Sequence, residues 1–200
     1  MHLYRYFIIY KPFQVISGFT PENGKACLKD FFKVPPDVYP LGRLDYDSEG
    51  LLLLTNDKSL NYQVLHPSFA HEREYWVQVE GVITKKALDS LSTGVSIALD
   101  GKKYITRKAS AESFTETPPV PERQPPIRFR KNIPTSWIRL ILHEGKNRQV
   151  RKMTAALGFP TLRLLRYRIS ELSIHSLLPG EMIEMDKKEY YQKLGLDTLI

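Results

Sequence analysis

Apolar and polar positions along this 200-residue chain fall into short runs, most of them too short for long helices. Alternating or continuous apolar segments at Tyr6 to Tyr10, Tyr75 to Val79, Val95 to Leu99, Ser110 to Phe114, Ser136 to His143 and Thr161 to Tyr167 predict strands. Helical spacing is rarer. It predicts helices over Lys25 to Phe32, Ser59 to Leu65, Lys85 to Leu91 behind a Thr84 cap, and Arg148 to Leu157, the last stopped by Gly158 and Pro160. The pattern is that of an α+β chain dominated by strands in hairpin-like succession. Leu51 to Leu54 mark a buried element fed by a polar turn. Thr117 to Pro126 hold five prolines in ten residues, which predicts an extended connection between neighbouring strands, and Lys187 to Ile200 read as a mixed-charge helix or tail.

Composition narrows the class. The length suits one compact domain, or one domain divided into two lobes, with enough apolar residues for a core. A single cysteine, Cys27, cannot form an internal disulfide, and no Cys/His grouping has zinc-ligand spacing. The longest uninterrupted apolar run falls far short of a membrane span. A soluble, cytoplasmic protein without metal is expected. Net charge is +7, and from Arg128 to Arg168 eleven Lys or Arg stand against one acid, Glu144. That stretch is either a solvated basic face or a surface for a long polyanion, and the polyanion is favoured because phosphate backbones reward clustered cations. Phe129, Trp137, Phe159 and Tyr167 lie in the same region, at least two of them as ordinary core.

Two segments carry candidate chemistry. Pro40 to Thr55 puts Arg43 and Asp45 on a turn beside the leucine run, where a rigid support would hold reactive groups at a cleft. Asp45, Asp47 and Glu49 fit either an acid and base pair or the polar start of an element, and spacing leaves both open. Their resemblance to a calcium loop fails, because the twelfth position is Asn56 and leucines fill ligand positions. Glu144 to Met153 follows a strand and opens a helix, with Asn147 suited to the N-cap. Arg148, Arg151, Lys152 and Ala155 share one helical face, and Val150, Met153 and Leu157 share another that can enter the core. Cations in a first turn oppose the helix dipole by about 0.3–1 kcal/mol each, so an anion at that helix start would explain them, against the simpler reading of a solvated face. His66 and His71 form no ligand pair or nucleophile partnership and read as turn or surface residues.

Residue order adds what spacing cannot. Gly42-Arg43-Leu44-Asp45, followed by Asp47 to Asp57, resembles the catalytic motif of bacterial pseudouridine synthases of the RsuA family. Ile9 to Pro12 looks like that family's opening Lys-Pro motif, Arg73-Glu74-Tyr75 like its tyrosine motif, and Glu144 to Met153 like its basic motif. The resemblance spans roughly residues 6–185. It implies the pseudouridine synthase fold, a mixed and mainly antiparallel sheet in two lobes around a basic cleft, with residues 1–200 forming a single catalytic domain. It also implies an enzyme without cofactor or metal that isomerises uridine in RNA. Asp45 would be the nucleophile, Arg151 the cation that keeps its carboxylate ionised, and Tyr75 the ring that stacks on the flipped base. Arg43 would brace the gap left by the flipped nucleotide, Lys146, Arg148 and Lys152 would contact RNA, and Leu162 would line the base site.

The Lys-Pro motif begins almost at the N-terminus, leaving no room for the S4 RNA-binding domain many relatives carry, and this resembles the RluE-like subgroup. The implied substrate is ribosomal RNA, 23S rRNA or a large-subunit assembly intermediate, met by a monomer away from membranes. Arg73 stands where lysine is common, which puts any contact there in doubt. Two other functions compete: a non-catalytic RNA-binding or ribosome-assembly module that would not need Asp45, and a phosphodiester-cleaving enzyme that would need a divalent metal.

Overall fold

A computed structural model of the chain describes residues 3–127 and 133–196. Phe129 and Arg128, both part of the basic stretch, lie outside the described residues. The chain divides into two compact units, one of Met1–His71 with Arg166–Ile200, the other of Glu72–Leu165.

The first unit is organised by strand β3 (Glu49–Thr55), every residue of which is buried. Four consecutive leucines cannot alternate between core and solvent, so they suit a central strand covered on both faces. β3 pairs antiparallel with β1 (Tyr6–Lys11), placing Ile9 opposite Leu52 and Ile8 opposite Leu53, and with the short β2 (Tyr39–Leu41). β11 (Met182–Met185) closes the other side of β1. On one face Phe7, Ile9, Leu52 and Leu54 pack with Val15, Leu28, Phe32 and Val38. α1 (Ser59–Leu65) follows β3 directly. The C-terminal α4 (Lys187–Leu194) begins at Asp186, whose side chain accepts from Glu189 N, and places Tyr190 and Tyr191 against Tyr6.

Residues 25–32 are not the expected helix. Cys27 is extended and bridges to Ile16, and only a 3-10 turn, Leu28–Asp30, follows. The Asp30 carboxylate accepts from Cys27 N at 2.8 Å, the kind of local bond by which aspartate competes with helix formation.

The second unit is built on the antiparallel ladder of β4 (Arg73–Glu80) and β8 (Thr135–Leu142), with β7 (Ser110–Ser113) on the far side of β8. β5 (Ser96–Leu99) and β6 (Lys102–Ile105) form a separate hairpin. Val77, Val79, Ile138, Leu140 and Leu142 make one face of the ladder and pack with Leu91 of α2 (Lys85–Thr93) and Val150 and Met153 of α3 (Gln149–Ala156). The Thr84 cap is present, its hydroxyl accepting from Ala87 N. Strand β9 (Thr161–Ile169) passes from this unit into the first, where its last residues pair with β10 (Leu172–Ser173). The pairings of β1 with β3 and β11 and of β8 with β4 and β7 are antiparallel, in keeping with the α+β class. Thr117 to Pro126 hold no strand or helix and link β7 to β8. Trp137 is buried and Phe159 packs on the core, so both belong to the ordinary core the sequence allowed for.

The C-terminal helix is tied to the first unit by Asp57. Its carboxylate accepts from Tyr6 OH at 2.9 Å, Tyr191 OH at 2.6 Å and Ser59 Oγ at 2.6 Å. Burial pushes this carboxyl up, but the bonds from Ser59, Tyr191 and Tyr6 outweigh it and hold its pKa below the ordinary value. A carboxylate depressed in the folded state contributes stability above its unfolded pKa and loses it as pH falls through the folded pKa. Asp57→Ala, which strands two buried phenols, is expected to cost about 1–3 kcal/mol at pH 7 in urea unfolding and to flatten the loss of stability below about pH 4. Equal acid sensitivity in variant and parent would contradict this.

Candidate active site

Asp45 sits on the turn between β2 and β3, half-buried between buried Leu44 and Ser48. Its backbone is held from both sides by the loop that follows β1. Ser17 Oγ donates to Leu44 O at 2.7 Å and accepts from Leu44 N at 3.0 Å, so one hydroxyl satisfies both polar groups of the residue before Asp45. Gln14 N donates to Tyr46 O at 2.9 Å on the residue after it, and Ser48 N closes the turn onto Asp45 O at 3.0 Å. Gly42 enters the turn at φ +75°, and a Cβ there would lie 2.8 Å from a methyl of Leu65. Arg43 is exposed at the surface of the same turn.

The loop after β1 is in turn held by Lys11. This lysine is fully buried, and its Nζ donates to Pro12 O at 3.0 Å and Val15 O at 2.7 Å. Burial pushes its pKa down to about 7, against the pull of Glu49, with Arg166 adding to the depression and Asp47 and Asp45 opposing it. Glu49, also buried, accepts from Tyr10 OH at 3.1 Å, and Arg166 Nε donates to Leu51 O at 2.8 Å, so the base of the turn is a set of buried polar groups on β1, β3 and β9.

The second unit carries the basic motif. Its one acid, Glu144, is buried and accepts from Tyr104 OH at 2.5 Å, Arg107 N at 2.9 Å and Gln149 Nε2 at 2.6 Å. Burial pushes this carboxyl up, and the bonds from Tyr104, Arg107 and Gln149 bring it below the ordinary value. Gln149 Oε1 completes the loop by accepting from Lys146 N at 3.0 Å. The helix therefore starts differently from expectation. Asn147 is exposed, and the N-cap is Arg148, a non-glycine residue at φ +51° with no side-chain cap bond. A buried glutamine and glutamate organise the loop from inside, which leaves the cap position to a cation in a strained backbone conformation.

From that start the helical faces follow the expected spacing. Val150 and Met153 are buried, Leu157 packs on the same core, and Arg151 and Lys152 are half-buried. Arg151 Nη1 approaches Thr161 O at 3.5 Å, and Thr154 Oγ1 meets Thr161 Oγ1 at 2.8 Å, which joins α3 to the start of β9 beside half-buried Leu162. Tyr75 is half-buried on β4, opposite Leu140, and packs against the core that seats Val150 and Met153. Tyr75 and helix α3 thus pack on one core within the second unit. Lys146 and Arg148 are exposed, and the Lys146 ammonium lies 5.6 Å from the Tyr104 ring centre. Not every cation of the basic stretch faces outward: Arg139 makes a two-pronged bond to buried Glu74, and Arg163 is buried over Trp137.

Ser17, Lys11, Gln149 and the inward role of Glu144 were missing from the sequence reading of the site. Ser17 and Glu144 bind residues far along the chain, whereas Lys11 and Gln149 bind near neighbours and stand inside the Lys-Pro and basic motifs without a signal of their inward role. Among the described residues, no group of three or more His, Cys, Asp and Glu could hold a metal ion, and no helix is long and apolar enough to cross a membrane.

Comparison with known proteins places the chain in a family. The profile of the RNA pseudouridylate synthase family matches residues 5–156. This chain belongs to that family. Ribosomal large subunit pseudouridine synthase E of Vibrio parahaemolyticus is 44% identical over 178 residues, covering 89% of this chain and 72% of that protein. The enzyme of the same name from Xanthomonas axonopodis pv. citri is 43% identical over 86% of this chain and 89% of its own length. Ribosomal large subunit pseudouridine synthase B of Bacillus subtilis is 35% identical over 92% of this chain and 69% of its own length. Among solved structures, a pseudouridylate synthase crystal structure superposes with a TM-score of 0.76 at 25% identity, covering 97% of this chain and 75% of that one. The pseudouridine synthase fold expected from the motifs is the observed one, and the chain is an RNA pseudouridine synthase by family.

The Ser17 hydroxyl fixes the backbone of the residue before Asp45. Ser17→Ala leaves Leu44 N and O unpaired, and a turn relaxed by even an ångström is expected to lower kcat by about 10²-fold with a much smaller change in KM. Single-substrate kinetics on RNA would show it, with Ser17→Thr restoring part of the loss. A variant with parental kcat would remove Ser17 from the account.

Proposed function

We propose that this protein isomerises a uridine of large-subunit ribosomal RNA to pseudouridine, acting as a monomer in the cytoplasm. Asp45 is the nucleophile, Arg151 its cationic partner and Tyr75 the ring that stacks on the extruded base. The observation that carries the reading is the pinned turn. A carboxylate that must meet a nucleotide extruded from its helix has to be held in place beforehand, and the backbone of residues 44–46 is anchored at each step. The names of the relatives above supply the substrate class, and the exposed cations at Lys146 and Arg148 supply affinity for phosphate.

The reaction breaks the bond between uracil N1 and the ribose C1′, turns the base, forms a bond from C5 to C1′, and releases the C5 proton while N1 takes up one, so that the product is an isomer of uridine. Asp45 assists departure of the base, Arg151 keeps the carboxylate ionised, and Tyr75 holds the base during its turn. Arg43 occupies the gap in the RNA stack, Lys152 joins Lys146 and Arg148 on phosphate, and Leu162 lines the base site.

Large-subunit ribosomal RNA tritiated at C5 of uridine, incubated with the protein in chelator, is expected to release tritium at one mapped position and to remain full length. Affinity for that RNA should fall with salt at a logarithmic slope of about −0.7 to −0.9 per phosphate contact. Shortened RNA, or release only with added divalent metal, would replace the synthase with a cleaving enzyme. Binding without release on both naked RNA and ribosomal precursors would favour the non-catalytic module.

A further inference from the structure

The first unit carries an exposed aromatic surface that no part of the reaction so far uses. On α1 and the 3-10 turn after it, Tyr62 is 61% exposed, Leu65 41% and Phe69 41%, and His66 between them is also exposed. Exposed apolar side chains clustered this closely are a signature of a binding surface. The rings are ordered against one another: Tyr62 and His66 lie 4.7 Å apart, Tyr62 meets Phe69 edge-on at 5.7 Å, and Phe69 stacks parallel to His71 at 6.2 Å. His71 anchors the set from below, since Nε2 can only donate to Gln63 O, at 3.0 Å, which leaves Nδ1 to accept from Ser170 Oγ at 3.1 Å. His66 Nδ1 accepts from Ser68 N and so fixes the turn that carries Phe69.

Two further observations say what this surface meets. It adjoins the catalytic turn, because a methyl of Leu65 closes on Gly42, three residues before Asp45. From Lys58 to His71 there is no acidic residue, while Lys58 is basic, and exposed Arg43 lies on the adjoining turn. Beside a carboxylate that acts on an extruded nucleotide, the substrate strand has lost one stacking partner on each side of the gap. Aromatic faces with polar rims, free of negative charge, suit an unpaired base.

We propose that Tyr62, His66 and Phe69, with Leu65, form a stacking platform for an unpaired base of the substrate RNA that flanks the target uridine. The proposal rests on the RNA substrate inferred above and adds a second contact to it, outside the site of base isomerisation. The platform makes the enzyme select targets with single-stranded nucleotides next to the reacting uridine, because a fully paired neighbour cannot reach exposed rings.

The test uses the intact protein and a ribosomal RNA fragment spanning the mapped uridine, with a set of copies in which successive flanking nucleotides are abasic. Tyr62→Ala with Phe69→Ala is expected to weaken equilibrium binding about tenfold or more, while Tyr62→Phe with Phe69→Tyr retains it, since stacking needs the ring face. One abasic position should weaken binding to the parent protein by a similar factor and cost the doubly substituted protein nothing further. Thermal unfolding at the parental temperature would show that the exposed substitutions leave the fold intact. Parental affinity in the double variant, or abasic penalties that add in full to those of the substitutions, would overturn the platform. A loss of binding confined to ribosomal particles, with naked RNA unaffected, would assign the surface to a protein partner instead. Concentration-dependent dimers of the parent that the double variant abolishes would assign it to a second copy of the chain. If the parent protein neither binds nor modifies any ribosomal RNA, the functional reading itself fails, whatever the variants do.

Discussion

The exchange of two hydrogen bonds between the Ser17 hydroxyl and the backbone of Leu44 is the interaction on which the site depends. Leu44 is buried, so its N–H and C=O need partners, and no regular strand supplies them at a turn. One hydroxyl does both tasks. Behind it, the Lys11 amine gathers two carbonyls of the loop that carries Ser17, and the Gln14 amide takes the carbonyl of Tyr46. The order of dependence runs from a strand buried on both faces, through a lysine whose pKa burial lowers to about 7, to a loop, and from the loop to the aspartate. A buried lysine is expensive, and two satisfied carbonyls together with nearby carboxylates are what make it tolerable here.

The second unit solves a different problem with the same kind of device. Several cations must be presented together on a short loop and helix start, where their mutual repulsion and the helix dipole both act against them. Glu144 sits beneath them and binds Tyr104, Arg107 and Gln149, so its charge organises the loop from inside rather than neutralising its surface. Arg148 in a left-handed conformation is the local cost of this arrangement, and it falls where the chain turns into α3.

Much of this was legible in the sequence where the information was local. Helix α1 matches the predicted Ser59 to Leu65, α2 keeps its Thr84 cap, and β1, β8 and β9 lie where the apolar runs place them. The central strand β3 could be recognised as buried but not typed, because a run of leucines has neither helical nor strand period. The segment at 25–32 misled because its spacing suits a helix, while the bridge from Cys27 to Ile16 is a tertiary contact. Asn147 is a good cap residue in isolation, but Gln149 binds Lys146 N and buried Glu144 within the loop, and the cap position falls to Arg148. Motif order singled out Asp45, Tyr75 and the basic helix as candidates, but Ser17 and Glu144 act on residues 27 and 40 positions away, and one sequence holds no sign of such partners.

Asp45 is the central claim, and the most direct measurement compares Asp45→Asn with the parent in both equilibrium binding and single-turnover conversion of the same ribosomal RNA. The substitution keeps the size of the side chain and removes its charge. The account predicts binding within a few-fold of the parent and conversion reduced below detection. Conversion at the parental rate would contradict it.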